Sequence, residues 1–262
     1  MENKLPTIPD DDVIEICNLL SEQKKLLWRI HHAATEPPGK VMAKADLASF
    51  LLCHALHIHE MAKAALVLMQ KREPYAVVLL GRSALESAFN LVAAEKDKKF
   101  GPQRMAYELE DLARKLAHLI KDNVWPKSRH PTPEDCRKKA DWIRKEYAAP
   151  ALEKGDLDRI KKIKEIARTA ELLPYYDEDY SQLSLTVHAN QAGILNTGSG
   201  FLVRKGMLAV CNATMLASAI LCDVFHLREE FDGAIQGQYV QLGSLMQKPD
   251  SLPQRKLGVG RN

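Results

Sequence analysis

YAVVLLGRSALESAFNLV, residues 75–92, carries two charged side chains in a chain whose overall charged content is 27%. Those two, Arg82 and Glu86, stand four apart, and Asn90 lies four further on. At about 100° per residue the three fall within roughly 80° of one helix face, flanked by Ser83 and Ser87. Leu80, Ala84, Leu85, Ala88, Leu91 and Val92 make the opposite, core-facing side. The pattern predicts a central helix with one apolar face and one polar seam, and the rest of the chain is read around it.

Upstream, Glu73-Pro74 breaks the chain, because the residue before a proline avoids the helical region. Before that break a long helix is predicted from about residue 43 to 71, with Leu47, Leu51, Ile58, Met61, Ala65 and Leu68 as its apolar stripe and His54 in the middle of it. An earlier helix begins at Asp10–Asp12, acidic residues that suit a helix N-terminus, and ends at Thr35-Glu36-Pro37-Pro38-Gly39. Downstream of residue 95 the composition shifts. Residues 96–172 hold twenty Lys/Arg and fourteen Asp/Glu, an excess of six positive charges, so the remainder of this +3 chain carries −3. That segment reads as an inserted charged layer, with helices near 103–121, 134–148 and 156–173. Two core helices follow, near 178–195 and 205–230, and the tail 249–262 is expected to be disordered.

The predicted fold class is therefore all-α: an up-down helical bundle (core 43–95 and 175–231) with the charged helices 96–172 inserted. All of residues 1–248 form a single helical domain in this reading. Hydrophobic content of 46% excludes wholesale disorder, and a net charge of +3 is too mild to imply nucleic acid. The five cysteines show no disulfide pattern, which suggests a reducing compartment. The N-terminus is acidic, without the apolar core of a secretory signal, and no window reaches eighteen uninterrupted apolar residues. A cytoplasmic location and no membrane partner are the expectations.

Segment 180–191, YSQLSLTVHANQ, repeats the logic of the central helix. Tyr180, Ser184 and His188 follow one another at four-residue spacing and form a hydrogen-bonding stripe. Packed on the central helix, this stripe is expected to bring Arg82, Glu86, Asn90, Ser184 and His188 into one partly buried cluster. A buried Arg needs a carboxylate, and Glu86 is the expected partner. A carboxylate beside His188 raises the imidazole pKa and fixes its tautomer, as a general base requires. The candidate catalytic residues are His188, Arg82 and Glu86; the candidate ligand contacts are His54, Asn90, Tyr180 and Ser184. His54, His57 and His59 point in different directions around their helix and do not converge on a metal, so no metal and no cofactor are expected. The basic runs Arg137-Lys138-Lys139 and Lys161-Lys162 are interleaved with acids, as on a solvated helix face.

The pair Arg82-Ser83-x-x-Glu86 and Tyr180-x-x-Leu183-Ser184-x-x-x-His188-Ala189 resembles the mainly bacterial helical family catalogued as domain of unknown function 5677, over roughly residues 45–230. The resemblance implies an all-helical bundle with a polar cluster between helices and carries over Arg82, Glu86, Ser184 and His188. Helical prokaryotic ribonuclease-type domains of toxin and defence systems have an Arg followed after four to six residues by His. Arg114 and His118, with three residues between, depart from that pattern.

Two functions follow. In the first, the protein is a binding or interaction module for a small anionic ligand, a protein partner or a second copy of itself. In the second, it is a metal-independent, nuclease-like hydrolase of the kind associated with defence, with His188 as general base and Arg82 stabilising negative charge.

Overall fold

A computed structural model describes residues 10–35, 45–71, 73, 76–124, 126, 129–147, 159–187 and 200–247. The described residues are helical, joined by turns, without a strand. The elements are α1 (Asp10–Thr35), α2 (Ala45–Gln70), α3 (Ala76–Lys96), α4 (Phe100–Lys121), α5 (Pro133–Glu146), α6 (Ile163–Thr169) and α7 (Leu173–Tyr175). A π-helical turn at Tyr176–Tyr180 leads into α8 (Ser181–Val187), followed by α9 (Gly200–Val224) and α10 (Arg228–Gln247).

The central helix predicted from residues 75–92 is α3, and it lies at the middle of the fold. It packs against α9 and α2, and α4, α6 and α8 also touch it. Val77, Val78, Ala84, Leu85, Ala88, Phe89 and Leu91 are buried along it. Glycine explains how closely α3 and α9 cross. A Cβ on Gly81 would stand 2.6 Å from the carbonyl oxygen of Gly206, and one on Gly206 would stand 2.9 Å from the carbonyl oxygen of Val77. Neither helix tolerates a side chain at that point, so the two backbones meet directly.

Helix α1 lies outside the core expected at 43–95 and 175–231, but it belongs to the core of the fold. Ile16, Leu19, Leu20, Leu27 and Ile30 recur at helical spacing, all buried, against α9 and α2. The inserted segment is also less uniform than its charge suggests. Helices α4 and α5 pair with each other through two small clusters, Ala106/Ala140/Ile143 and Ala113/Leu116/Cys136, apart from the main core. By contrast α6 sends Ile166 and Ala167 into the main core. Cys136 is buried between α4 and α5, although its sequence neighbourhood is charged and proline-flanked. Thr132 caps α5 through a reciprocal capping box with Asp135, whose carboxyl is lowered to about 2 by hydrogen bonds from Thr132.

The helix predicted over 205–230 is two helices. Its run ends at Val224 because His226 adopts a left-handed conformation (φ 58°) and Leu227 N–H closes onto the Cys222 carbonyl at 2.8 Å. Glu171 (φ 58°) ends α6 in the same way, with Leu172 N–H on the Ala167 carbonyl. Neither stop is marked by a glycine, so neither is visible as a sequence signal.

Counting uninterrupted apolar residues understates the hydropathy of three helices. Leu47–Gln70, Ala76–Lys96 and Gly200–Val224 are each long and apolar enough to cross a membrane by length and composition. In this fold 67% and 78% of the latter two windows are turned inward, against 28% for the first. The apolar surface of α3 and α9 is thus largely consumed by packing.

Candidate functional site

The polar seam of α3 meets the π turn. Tyr180 is buried there, and its hydroxyl donates to Glu86 Oε1 at 2.7 Å while accepting from Arg82 Nε at 3.2 Å. Arg82 Nε also lies 3.2 Å from Glu86 Oε1, so the three groups close a triangle. The guanidinium sits 5.4 Å above the Tyr180 ring, and Tyr176 stacks on that ring at 5.1 Å. A π turn inserts one residue into the helical register, which re-aims side chains locally. Here it sets both tyrosines side by side.

The electrostatics of this triangle are those of a fastened joint. Burial, reinforced by the Glu86 carboxylate, pushes the Tyr180 phenol up to about 12 despite Arg82 beside it. Burial works against a charged Arg82, but Tyr180 and Glu86 together outweigh it and raise its pKa. Arg82 and Glu86 keep 22% and 34% of their side-chain surface in solvent, so the pair is neither sealed nor freely solvated. Each donor and acceptor at its centre is occupied by another member of the triangle.

The other sequence-derived candidates do not all gather here. Asn90 is buried and donates through Nδ2 to the Glu86 backbone carbonyl at 2.8 Å, while its Oδ1 has no hydrogen-bond partner among the described residues. Ser184 is half-buried on α8 and makes no hydrogen bond to the triangle among the described residues. His188 lies outside the described residues, so its expected approach to Arg82 has no counterpart in this description.

Of the three histidines expected to point in different directions, His59 does so, whereas His54 and His57 share a face. His59 stacks on Trp28 of α1 with ring centroids 5.0 Å apart. His57 Nε2 and Ser83 Oγ share a hydrogen bond of 3.0 Å between α2 and α3. Residues three apart fall on one face of a helix, and His54 and His57 both turn toward α4 and α5.

There they line a cleft of about 610 Å³ with Ser49, Phe50, Cys53, Ser87, Met105, Glu108, Leu109, Leu112, Lys139 and Ile143. Its walls are mainly apolar and come from α2, α4 and α5, with Ser87 of α3 as a polar contribution. That volume falls within the range of small-molecule sites. Phe50 meets the His54 ring edge-on at 4.5 Å and fixes its plane. Burial, helped by the positive charge of Arg104, lowers His54 to about 4, so its imidazole is neutral at pH 7. Neither ring nitrogen of His54 is hydrogen-bonded to a described residue, nor is the Ser87 hydroxyl. Ser87 is buried and His54 half-buried, and the cleft is where a bound molecule meets their polar atoms.

Sequence reasoning named His54 as a ligand contact but did not find the cleft, Ser87's part in it, or the pairing of His57 with Ser83. The signal for the far wall is present at helical spacing in Met105, Leu109 and Leu112. Which helix that stripe faces is a tertiary fact.

No curated protein and no solved structure matches this chain. The model of a family of unknown function, DUF5677, matches residues 48–199, more than half of the chain, and takes in α2, α3, the cleft and the Arg82–Glu86–Tyr180 triangle. This chain belongs to that family.

Proposed function

We propose that the protein is a non-enzymatic binding module that takes a small organic molecule in the cleft between α2, α4 and α5, while the Arg82–Glu86–Tyr180 triangle serves as a structural clasp. The observation that carries this reading is the neutral His54, hydrogen-bonded to no described residue, in an apolar cleft of about 610 Å³. A site with mostly apolar walls and a few convergent polar groups is the ordinary form of a small-molecule pocket. The clasp is less suited to chemistry. Its phenol holds its proton up to about 12, and its guanidinium is already engaged by a carboxylate and a hydroxyl.

The hydrolase reading draws on one further observation, the Ser83–His57 hydrogen bond at 3.0 Å, which has the distance of a nucleophile–base pair. Ser83 lies in mid-helix, however, where backbone N–H groups are spent on the helix ladder and offer no oxyanion hole. Nor does any carboxylate among the described residues orient the His57 ring. With His188 as base and Arg82 as anion stabiliser the reading would further require Arg82 to leave Glu86. We therefore prefer the binding module, working in the cytoplasm. The five free thiols, three of them buried, accord with a reducing setting.

Native mass spectrometry of the purified chain, with ligand-observed NMR of a fragment library, tests the reading. A bound small molecule is expected, and Leu112→Trp, which fills the cleft from its rim, should displace it without changing the helical circular dichroism. Binding indifferent to Leu112→Trp, or turnover of ester or phosphodiester substrates lost in His57→Ala or Arg82→Ala, would overturn it.

A further inference from the structure

We infer that the cleft is built for an uncharged molecule, an apolar body of one or two rings carrying a single hydrogen-bonding head, and that His54 and Ser87 hold that head. The inference rests on the cleft being the binding site and specifies what that site accepts.

The argument begins with the walls. Phe50, Met105, Leu109, Leu112 and Ile143 offer hydrocarbon and aromatic surface, which favours a body with little polarity of its own. Within these walls stand an imidazole and a hydroxyl on neighbouring helices, α2 and α3. A neutral imidazole has one N–H to give and one lone pair to receive; a serine hydroxyl both donates and accepts. Together they match a phenol or an alcohol, each of which also gives one hydrogen bond and accepts another.

Charge decides against the alternatives. The two formal charges among the lining residues already have partners. Glu108 receives Arg104 Nε at 2.7 Å, and Lys139 Nζ lies 3.6 Å over the Trp142 ring. Arg104 also donates to the Ile160 carbonyl, so its fork is committed on two sides. A carboxylate entering the cleft would be drawn by Arg104 but would also face Glu108, which holds Arg104 at 2.7 Å, and a neutral imidazole and a hydroxyl do not repay the cost of stripping its water. An ammonium would find the His54 lone pair but would lie in the field of Arg104, whose charge is felt at His54. An uncharged head escapes both penalties and still gives His54 and Ser87 the direct hydrogen bonds that water otherwise supplies in the cleft.

The test uses the full chain at pH 7 and four probes of one shape: 2-naphthol, 2-naphthoate, 2-naphthylmethylammonium and 2-methylnaphthalene, followed by calorimetry and saturation-transfer NMR. Naphthol should bind about fivefold to tenfold more tightly than methylnaphthalene, the ratio one good hydrogen bond supplies, and more tightly than either ion. His54→Phe should erase the naphthol advantage while leaving methylnaphthalene binding intact. Ser87→Ala, a smaller change that keeps the core, should cut the advantage several-fold, and thermal melts establish that both variants fold. Tighter binding of naphthoate or the ammonium would overturn the ligand class while leaving the cleft as the site. Naphthol binding unaffected by both variants would overturn the roles of His54 and Ser87. Failure of all four probes to bind would overturn the inference together with the cleft reading on which it rests.

Discussion

At the scale of single residues, the clasp and the cleft histidine make different demands. Tyr180→Phe keeps the ring on Phe89 and Tyr176 but removes one hydrogen bond given and one received. We expect a loss of about 0.5–2 kcal/mol in urea denaturation, since each neutral hydrogen bond contributes on the order of 1 kcal/mol. An unchanged midpoint would show that the triangle holds nothing together. Arg82→Ala should cost about 1–2 kcal/mol and leave the chain folded, because a partly solvated ion pair is worth far less than a sealed one. His54 gives stability its pH dependence. Its pKa is 6.5 when exposed and about 4 in the fold, so between those values the unfolded chain binds more protons. Stability is therefore complete above pH 6.5 and falls as pH drops toward 4, by at most about 1.4 kcal/mol per pH unit. His31 and His59, both lowered first by burial, push in the same direction. In His54→Phe the slope of stability against pH over this window should be shallower than in the wild type; an identical slope would mean that His54 titrates normally.

At the scale of elements, glycine has opposite meanings in two helices. Gly81 stands where α3 and α9 touch backbone to backbone, so Gly81→Ala forces the crossing apart at the centre of the molecule. Overpacking of a filled core costs roughly 1–3 kcal/mol, and a contact with backbone rather than a movable side chain belongs at the upper end. An added Cβ on Gly237 of α10 meets nothing within 4 Å. Gly237→Ala should therefore stabilise by about 0.5–1 kcal/mol, the helix-propensity difference alone. Thermal melts of the two variants should move in opposite directions, and a parallel shift would refute the crossing geometry. Polar ties also anchor the charged layer to the bundle. Arg159 spans Asp97 and Gln103, both at 2.9 Å, and Lys96 pairs with Glu171.

At the scale of the molecule, the core is unevenly distributed, and stability should follow it. Helices α3 and α9 share the main hydrophobic cluster, whereas α4 and α5 hold each other through clusters of three buried residues each. Hydrogen exchange should accordingly be slowest in α3 and α9 and faster in α5, whose opening also widens the cleft. Equal protection throughout would mean that the α4–α5 pair does not open independently. The apolar helices bear on a second expectation. With most of α3 and α9 turned inward, the folded chain should remain in the aqueous phase on partition with a nonionic detergent. Recovery in the detergent phase would reassign α2, α3 and α9 to a membrane.

How much of this was legible follows from what periodicity can and cannot encode. The spacing within residues 75–92 yielded the central helix and its Arg82/Glu86 seam, because both depend on neighbours three and four residues away along one backbone. The helical class was legible for the same local reason, whereas the charge of residues 96–172 did not reveal that α6 packs into the main core. Which group closes on that seam was not. Tyr180, rather than Ser184 four residues on, meets Arg82 because a π turn and the glycine-to-glycine crossing of α3 and α9 set the rotation and height of each helix. The cleft depends on the same placement, since its two faces are drawn from α2 and from helices some fifty or more residues later. By itself, then, the sequence determined the helices, the polar seam of α3 and the family; tertiary packing alone decided the clasp and the cavity, because a stripe specifies a face and only contact specifies what the face meets.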